Sequence, residues 1–158
     1  MRFNPYATRP QIYDAIRGVS GALAKGPLEA SLRALVELRV SQLNRCGFCL
    51  AMHSDGARAT GLEQTKLDSL AGWREDAAFT RSERAALELA EAITGLGDDG
   101  VAAETWDEAA SVFSEDELAD LVFLIGLMNL YNRVNVAVQF PASAWREHGY
   151  AGIRQVLP

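Results

Sequence analysis

From Glu115 to Val138 the chain reads "EDELADLVFLIGLMNLYNRVNVAV", which is apolar on nearly every side when laid on a helix. Ser114-Glu115-Asp116-Glu117 has the form of a capping box that opens this helix, and Pro141 closes it. A helix without a polar face has to be surrounded, by its own bundle, by another copy of the chain, or by both. The stretch therefore predicts the central helix of an all-α bundle that assembles into an oligomer. Its longest apolar run, Leu121 to Met128, lies between Asp120 and Asn129 and is too short to span a bilayer, so no membrane partner is expected. Asn129, Asn132 and Arg133 form a polar seam at i, i+3 and i+4, either a structural hydrogen-bond network or one wall of a site.

Helical spacing recurs along the rest of the chain, and strand alternation is nearly absent. Pro10 opens a first helix with Ile12, Ile16, Val19 and Leu23, ending near Gly26. Pro27 is predicted as the first residue of the next, which sets Leu28, Leu32, Leu35, Val36 and Leu43 on one side. Asn44 is expected to interrupt that helix and cap another running to Thr60, with Gly61 just past its end. A short helix follows from Gln64 to Trp73. Thr80-Arg81-Ser82-Glu83 reads as a second capping box, before a helix stopped by Gly95 and Gly97, and "AETWDEAASVF" is a further short helix. "ASAWREHGYAGIRQVLP", residues 142–158, reads as a C-terminal tail with at most one helical turn. No linker, repeat or low-complexity tract divides the chain. The expectation is one all-α domain over 1–158 with about seven helices.

A net charge of −6 over 158 residues argues against nucleic acid, which needs a basic face. The charge is uneven, with the basic residues concentrated before residue 85 and the acidic ones after it. The N-terminal "MRFNPYATRPQIYD" has no apolar core of a signal peptide, and two cysteines make no secreted-type disulfide framework. A reducing cytoplasm is the expected location. There, a CxxC is catalytic or metal-binding more often than structural.

Both cysteines lie in "NRCGFCLAMHSDGARATG", as Cys46-Gly-Phe-Cys49, with His53 four residues on. Covalent haem attachment would need the histidine directly after the second cysteine, where Leu50 stands. A structural zinc site wants four ligands, and Cys46, Cys49 and His53 supply three, the other histidine being His148 in the tail. Two inert thiols beside a satisfied histidine are a second reading. A redox dithiol is the third: Cys46 in the first turn of a helix would have its thiolate favoured by free N–H groups and the dipole. Arg39, Arg45 and Arg58 would add positive charge, and His53 shares the Cys49 face as a base. A thioredoxin would show strands around its CxxC, and this chain does not.

The segment "VELRVSQLNRCGFCLAMHSDGARATG" resembles the core of the carboxymuconolactone decarboxylase / alkylhydroperoxidase (AhpD-like) family, with C-x-x-C-x-x-x-H at a helix start. The likeness continues through "LAGWRED…FTRSERAALELAEAITGLGDDGV" and "FSEDELADLVFLIGLMNLYNRVNVAV", and is similar to the single-domain branch. The resemblance implies a thiol-dependent hydroperoxide reductase without a cofactor or metal. Cys49 would attack the O–O bond and become a sulfenic acid, and Cys46 would resolve it to a Cys46–Cys49 disulfide. An external dithiol or protein reductant, lipoyl-type or thioredoxin-like, would then restore the thiols. His53 would join Cys49 to a proton relay ending in a glutamate. The family's glutamate lies twelve residues before the first cysteine, at Ala34 here, whereas Glu37 is one helical turn closer. Phe48, between the cysteines, is expected to shield the sulfurs. The decarboxylase half of the family name transfers poorly, because those enzymes do not rely on a CxxC. Two alternatives remain: a dithiol–disulfide oxidoreductase acting on a protein or small disulfide, and a non-catalytic oligomeric member. The resemblance also implies a homo-oligomer, a hexamer or trimer.

Overall fold

The computed structural model describes the backbone of residues 1–155 and the side chains of residues 1–147. His148 and the end of the expected tail therefore lie outside the described side chains. Among the described residues there are nine α-helices and no β-strand. They are α1 (Pro5–Thr8), α2 (Pro10–Leu23), α3 (Ala30–Leu43), α4 (Gly47–Ala59), α5 (Gln64–Ser69), α6 (Arg81–Thr94), α7 (Ala103–Val112), α8 (Glu115–Val138) and α9 (Ala142–Gln155). A 3₁₀ segment, Leu70–Glu75, continues α5.

Local chemistry sets several boundaries as expected. Thr80 and Ser114 each accept the N–H of the residue three positions on, Glu83 and Glu117, and each of these glutamates returns a bond to the cap's own N–H. Gly61 follows α4 with φ +87, the left-handed conformation that a glycine adopts without penalty. Two expectations fail. Pro27 does not start α3, which begins at Ala30 with Glu29 as its cap. The intervening turn presses Gly26 onto α8, where a Cβ would collide with the Asp120 carboxylate. The chain also carries two helices beyond the expected seven. Asn4 caps α1 by accepting from the N–H groups of Tyr6 and Ala7, and residues 142–155, read as a tail, form α9 packed on α4.

The long helix α8 is the central one, as its all-round apolar surface requires. Ten of its side chains are buried, from Leu118 to Val138. By length and composition alone it could cross a membrane, but half of its apolar stretch is buried within the bundle and it opens on Glu115, Asp116 and Glu117. Around it the core divides into three clusters. The largest joins α3, α6, α7 and α8 through Val36, Val40, Leu89, Leu121 and Ile125. A second joins α3 to α4, α5, the 3₁₀ segment and α6 through Leu35, Leu38, Ala57, Leu70, Trp73 and Leu87. The third gathers Tyr6, Tyr13, Phe48, Phe140 and Ala144 around both cysteines. Helix α3 is thus buried on more than the one side its sequence suggested. Val36 and Val40 serve one cluster and Leu35 and Leu38 another, which leaves Glu37 aimed at the gap near the third.

One carboxylate ties this arrangement together. Glu91 on α6 accepts from Trp73 Nε1 at 2.8 Å, from Arg74 at 2.6 Å and from Arg39 at 2.8 Å, linking α3, the 3₁₀ segment and α6. Burial opposes its ionisation, but those hydrogen bonds and the Arg39 charge outweigh burial and hold the carboxyl below the usual range. A depressed carboxyl contributes stability that is full above the unfolded pKa of about 4.3 and is lost as pH falls through the folded value. Glu91→Gln is therefore expected to lower stability at pH 7 by about 2 kcal/mol and to flatten its loss below about pH 4.5. Urea unfolding of both proteins across pH 3 to 7 checks this, and parallel acid profiles would refute it.

Candidate active site

The turn between α3 and α4 builds the site. Asn44 does not cap α4 as the sequence suggested; it ends α3 in helical conformation, and its side chain turns back to bond Val40 O at 3.0 Å. Arg45 follows at φ +55, a left-handed conformation that costs a residue with a Cβ about 1 kcal/mol. The Arg45 N–H bonds Gln42 O and the Cys46 N–H bonds Ser41 O, the paired stop in which a left-handed residue closes a helix. Cys46 then caps α4 itself, its Sγ accepting the Cys49 N–H at 3.3 Å. It stands one residue ahead of the first turn in which it was expected. Arg45 therefore ends α3, and the very next residue, Cys46, begins α4.

Cys46 and Cys49 are joined in a disulfide, with S–S 2.09 Å and Cα atoms 5.2 Å apart. Each is about 1% exposed. Phe48 shields them as expected, packing edge-on against Phe140 at 4.9 Å and Trp145 at 6.4 Å between ring centres. The basic residues expected to favour a thiolate do not converge on it. Arg39 is held by Glu91 and Gln42, Arg58 by Asp55 and Gln64, and Arg45 is exposed.

Glu37 and His53 are brought together across the α3–α4 pair, with Oε2 3.2 Å from Nδ1. An ionised carboxylate only accepts, so Nδ1 carries the proton of this bond. Nε2 is then the basic nitrogen, on the α4 face that also carries Cys49. Ala34, where the family glutamate was expected, is 5% exposed in the apolar cluster of Leu38, Leu67, Trp73 and Phe79. The turn nearer the cysteines thus places a carboxylate against the histidine, and the more distant one does not.

A cavity of 350 Å³ opens beside this pair. Tyr6, Tyr13, Met52, Met128 and Tyr131 give it largely apolar walls, Phe48 flanks the sulfurs, and Glu37, His53 and Asn135, with Arg17 and Ser20 from α2, supply polar groups. Of the lining residues that the sequence left unread, two form a chain of hydrogen bonds to the sulfur. Asn135 Nδ2 donates to Cys49 Sγ at 3.4 Å, and Tyr6 Oη donates to Asn135 Oδ1 at 2.7 Å. Asn135 extends the i, i+3 series of Asn129 and Asn132, a signal present in the sequence. Nothing local marks Tyr6. Of the seam itself, Asn129 bonds Asn44 and Thr94, and Arg133 reaches Thr94 O from the surface. Asn132 is fully buried, and among the described residues neither of its amide atoms has a hydrogen-bond partner. Among the described residues, no group of three His, Cys, Asp or Glu side chains is placed to hold a metal ion.

If Ala34 faces the apolar cluster, Ala34→Glu should destabilise the fold by about 3 kcal/mol through burial of an unpaired carboxyl, with no gain in any thiol-dependent rate. Thermal unfolding beside a turnover assay checks both halves, and a faster enzyme of unchanged stability would show the placement to be wrong.

Comparison with known proteins agrees with this architecture. The carboxymuconolactone decarboxylase family model matches residues 10–92. The uncharacterised protein YdfG of Bacillus subtilis is 30% identical over 137 residues, which is 87% of this chain and 93% of YdfG. Among solved structures, ATU0492 of Agrobacterium tumefaciens, a protein of unknown function suggested to be the antioxidant defence protein AhpD, superposes with TM-score 0.85 at 28% identity. That match covers 89% of this chain and 96% of its own. The debrominase Bmp8 shares the fold, with TM-score 0.76 at 21% identity, over 92% of this chain and 78% of its own. With its all-α bundle and its CxxCxxxH core at the start of α4, this chain belongs to the carboxymuconolactone decarboxylase family, with an AhpD-like fold.

Proposed function

We propose that the protein is a thiol-dependent hydroperoxide reductase in which Cys49 is the attacking sulfur. The observation that carries this is a buried Cys46–Cys49 pair beside a His53–Glu37 pair, at the edge of an aromatic cavity. In the reduced protein His53 Nε2 takes the Cys49 proton, and Glu37 stabilises the imidazolium that results. The thiolate attacks the distal oxygen of ROOH; the O–O bond breaks, Cys49 becomes a sulfenic acid, and ROH leaves with the proton returned by His53. The Cys46 thiol then displaces water from the sulfenic acid to close the disulfide. An external dithiol gives two electrons and two protons to reopen it, leaving as its own disulfide. The tyrosine and methionine walls favour an organic hydroperoxide with an apolar body.

Sulfurs that are about 1% exposed beneath α9 and Tyr6 favour a small oxidant over a protein disulfide, which would have to bring its own sulfur into line with Cys49. Disulfide exchange with a protein partner is thus the weaker alternative. A non-catalytic member would keep thiols near the ordinary pKa of about 8.5. The chain is also proposed to form a homo-oligomer, a trimer or hexamer. Ile12 and Val19 on α2, and Phe123 and Leu130 on the adjoining α8, expose two apolar pairs at seven-residue spacing, with Phe123 66% exposed.

Reduction of cumene hydroperoxide driven by dihydrolipoamide tests the activity. Cys49→Ser should abolish turnover, and Glu37→Gln should slow it by about 10- to 100-fold. Full activity in Cys49→Ser would end the proposal. Light scattering should find an oligomer that Phe123→Asp dissociates, and a monomeric wild type at micromolar concentration would remove the assembly.

A further inference from the structure

We infer that Asn135 is a further catalytic residue, an amide donor that holds Cys49 as the thiolate, and that Tyr6 positions it. The inference rests on the reading of Cys49 as the attacking sulfur, but its test does not use peroxide.

Three bonds in series carry the argument. Asn4 Oδ1 accepts the Tyr6 N–H at 3.0 Å, which fixes α1 and with it the tyrosine. The ring is wedged between Tyr13 and Phe140, at 4.9 and 5.8 Å between centres, so the hydroxyl has one place to go. It donates to Asn135 Oδ1 at 2.7 Å, in a bond buried from water. With its oxygen so engaged, the amide turns its N–H₂ toward Cys49 Sγ, 3.4 Å away. Burial pushes the Tyr6 phenol well above its usual range, so it stays protonated and remains a donor wherever the thiol titrates.

The direction of the amide decides its effect. An N–H donor pointed at sulfur favours the anion over the thiol, the more so out of water, whereas the carbonyl edge would repel it. The two cysteines are distinguished by their donors. Among the described residues, Cys46 Sγ accepts the Cys49 N–H of the helix it caps, while Cys49 Sγ receives a donor from α8. The other ionisable groups facing the pair, among the described residues, are Cys46 at the α4 cap, His53 on α4, Glu37 on α3, Tyr13 and Arg17 on α2, and Tyr131 on α8. From α9, Ala144 and Trp145 face it, and neither titrates. His53 is the base that removes the Cys49 proton; Asn135 carries no titratable proton and acts by stabilising what is left.

The test is the pH dependence of Cys49 alkylation by iodoacetamide in the reduced full-length protein, in a Cys46→Ser background, followed by intact mass. Asn135→Ala should raise the midpoint by about one pH unit, slowing alkylation several-fold at pH 7, and Asn135→Asp should raise it further by placing a negative charge at the sulfur. Asp still accepts from Tyr6 and has the shape of Asn, so this variant keeps the fold if Asn135→Ala does not. Tyr6→Phe should raise the midpoint by a smaller amount, which a purely structural tyrosine would not do. An unchanged midpoint in both Asn135 variants overturns the inference, and an unchanged midpoint in folded Tyr6→Phe removes the tyrosine from it. Absence of peroxide turnover alongside the shifted midpoints would leave the amide's role standing and remove only the substrate.

Discussion

The left-handed conformation of Arg45 is the constraint on which the site depends. It ends α3, turns the chain back, and makes Cys46 the first capping residue of α4. Every relation in the site follows from that reversal. Helices α3 and α4 run alongside each other, so that Glu37, sixteen residues before His53, lies against it. Cys49 falls in the opening turn of α4, with the partner sulfur at the helix's end. A glycine would adopt this turn without cost; an arginine there means that packing on both sides over-determines it.

What could be read in the sequence is what local chemistry writes. The Thr80 and Ser114 caps are bonds within three residues, so α6 and α8 began where the sequence put them. Glu37 was legible because it stands on the same helix one turn closer to the cysteines than the family position, although Ala34 itself faces the apolar cluster. The Cys46 cap was not, because Asn44 has the stronger capping preference and only the backbone at Arg45 overrides it. Helix α9 was missed because residues 142–155 carry few apolar side chains, and Ala144 and Trp145 become helical by docking on α4 rather than by their own periodicity. Tyr6 was missed because its partner lies 129 residues away. Asn135 could have been found, as the third member of an asparagine series on the buried side of α8.

The mixture of apolar walls and a few directed polar groups gives the site its chemical character. Phe48, Phe140 and Trp145 exclude water from the sulfurs, which strengthens every hydrogen bond made to them. Of the polar groups nearest the sulfurs, two are each fixed by a second: His53 by Glu37, and Asn135 by Tyr6. Such pairing makes geometry reproducible at the level that proton transfer and sulfur chemistry need.

The long reach of the Tyr6–Asn135 bond also has a consequence for biogenesis. Both cysteines are translated in the first third of the chain, but their cover is made of α1, the end of α8, and α9. During synthesis, then, α3 and α4 are made before α8 and α9 can cover their cysteines. They are enclosed only when the last helices arrive. The order of the chain puts the dithiol ahead of much of its own cover, so its aromatic wall is completed only by the C-terminal helices.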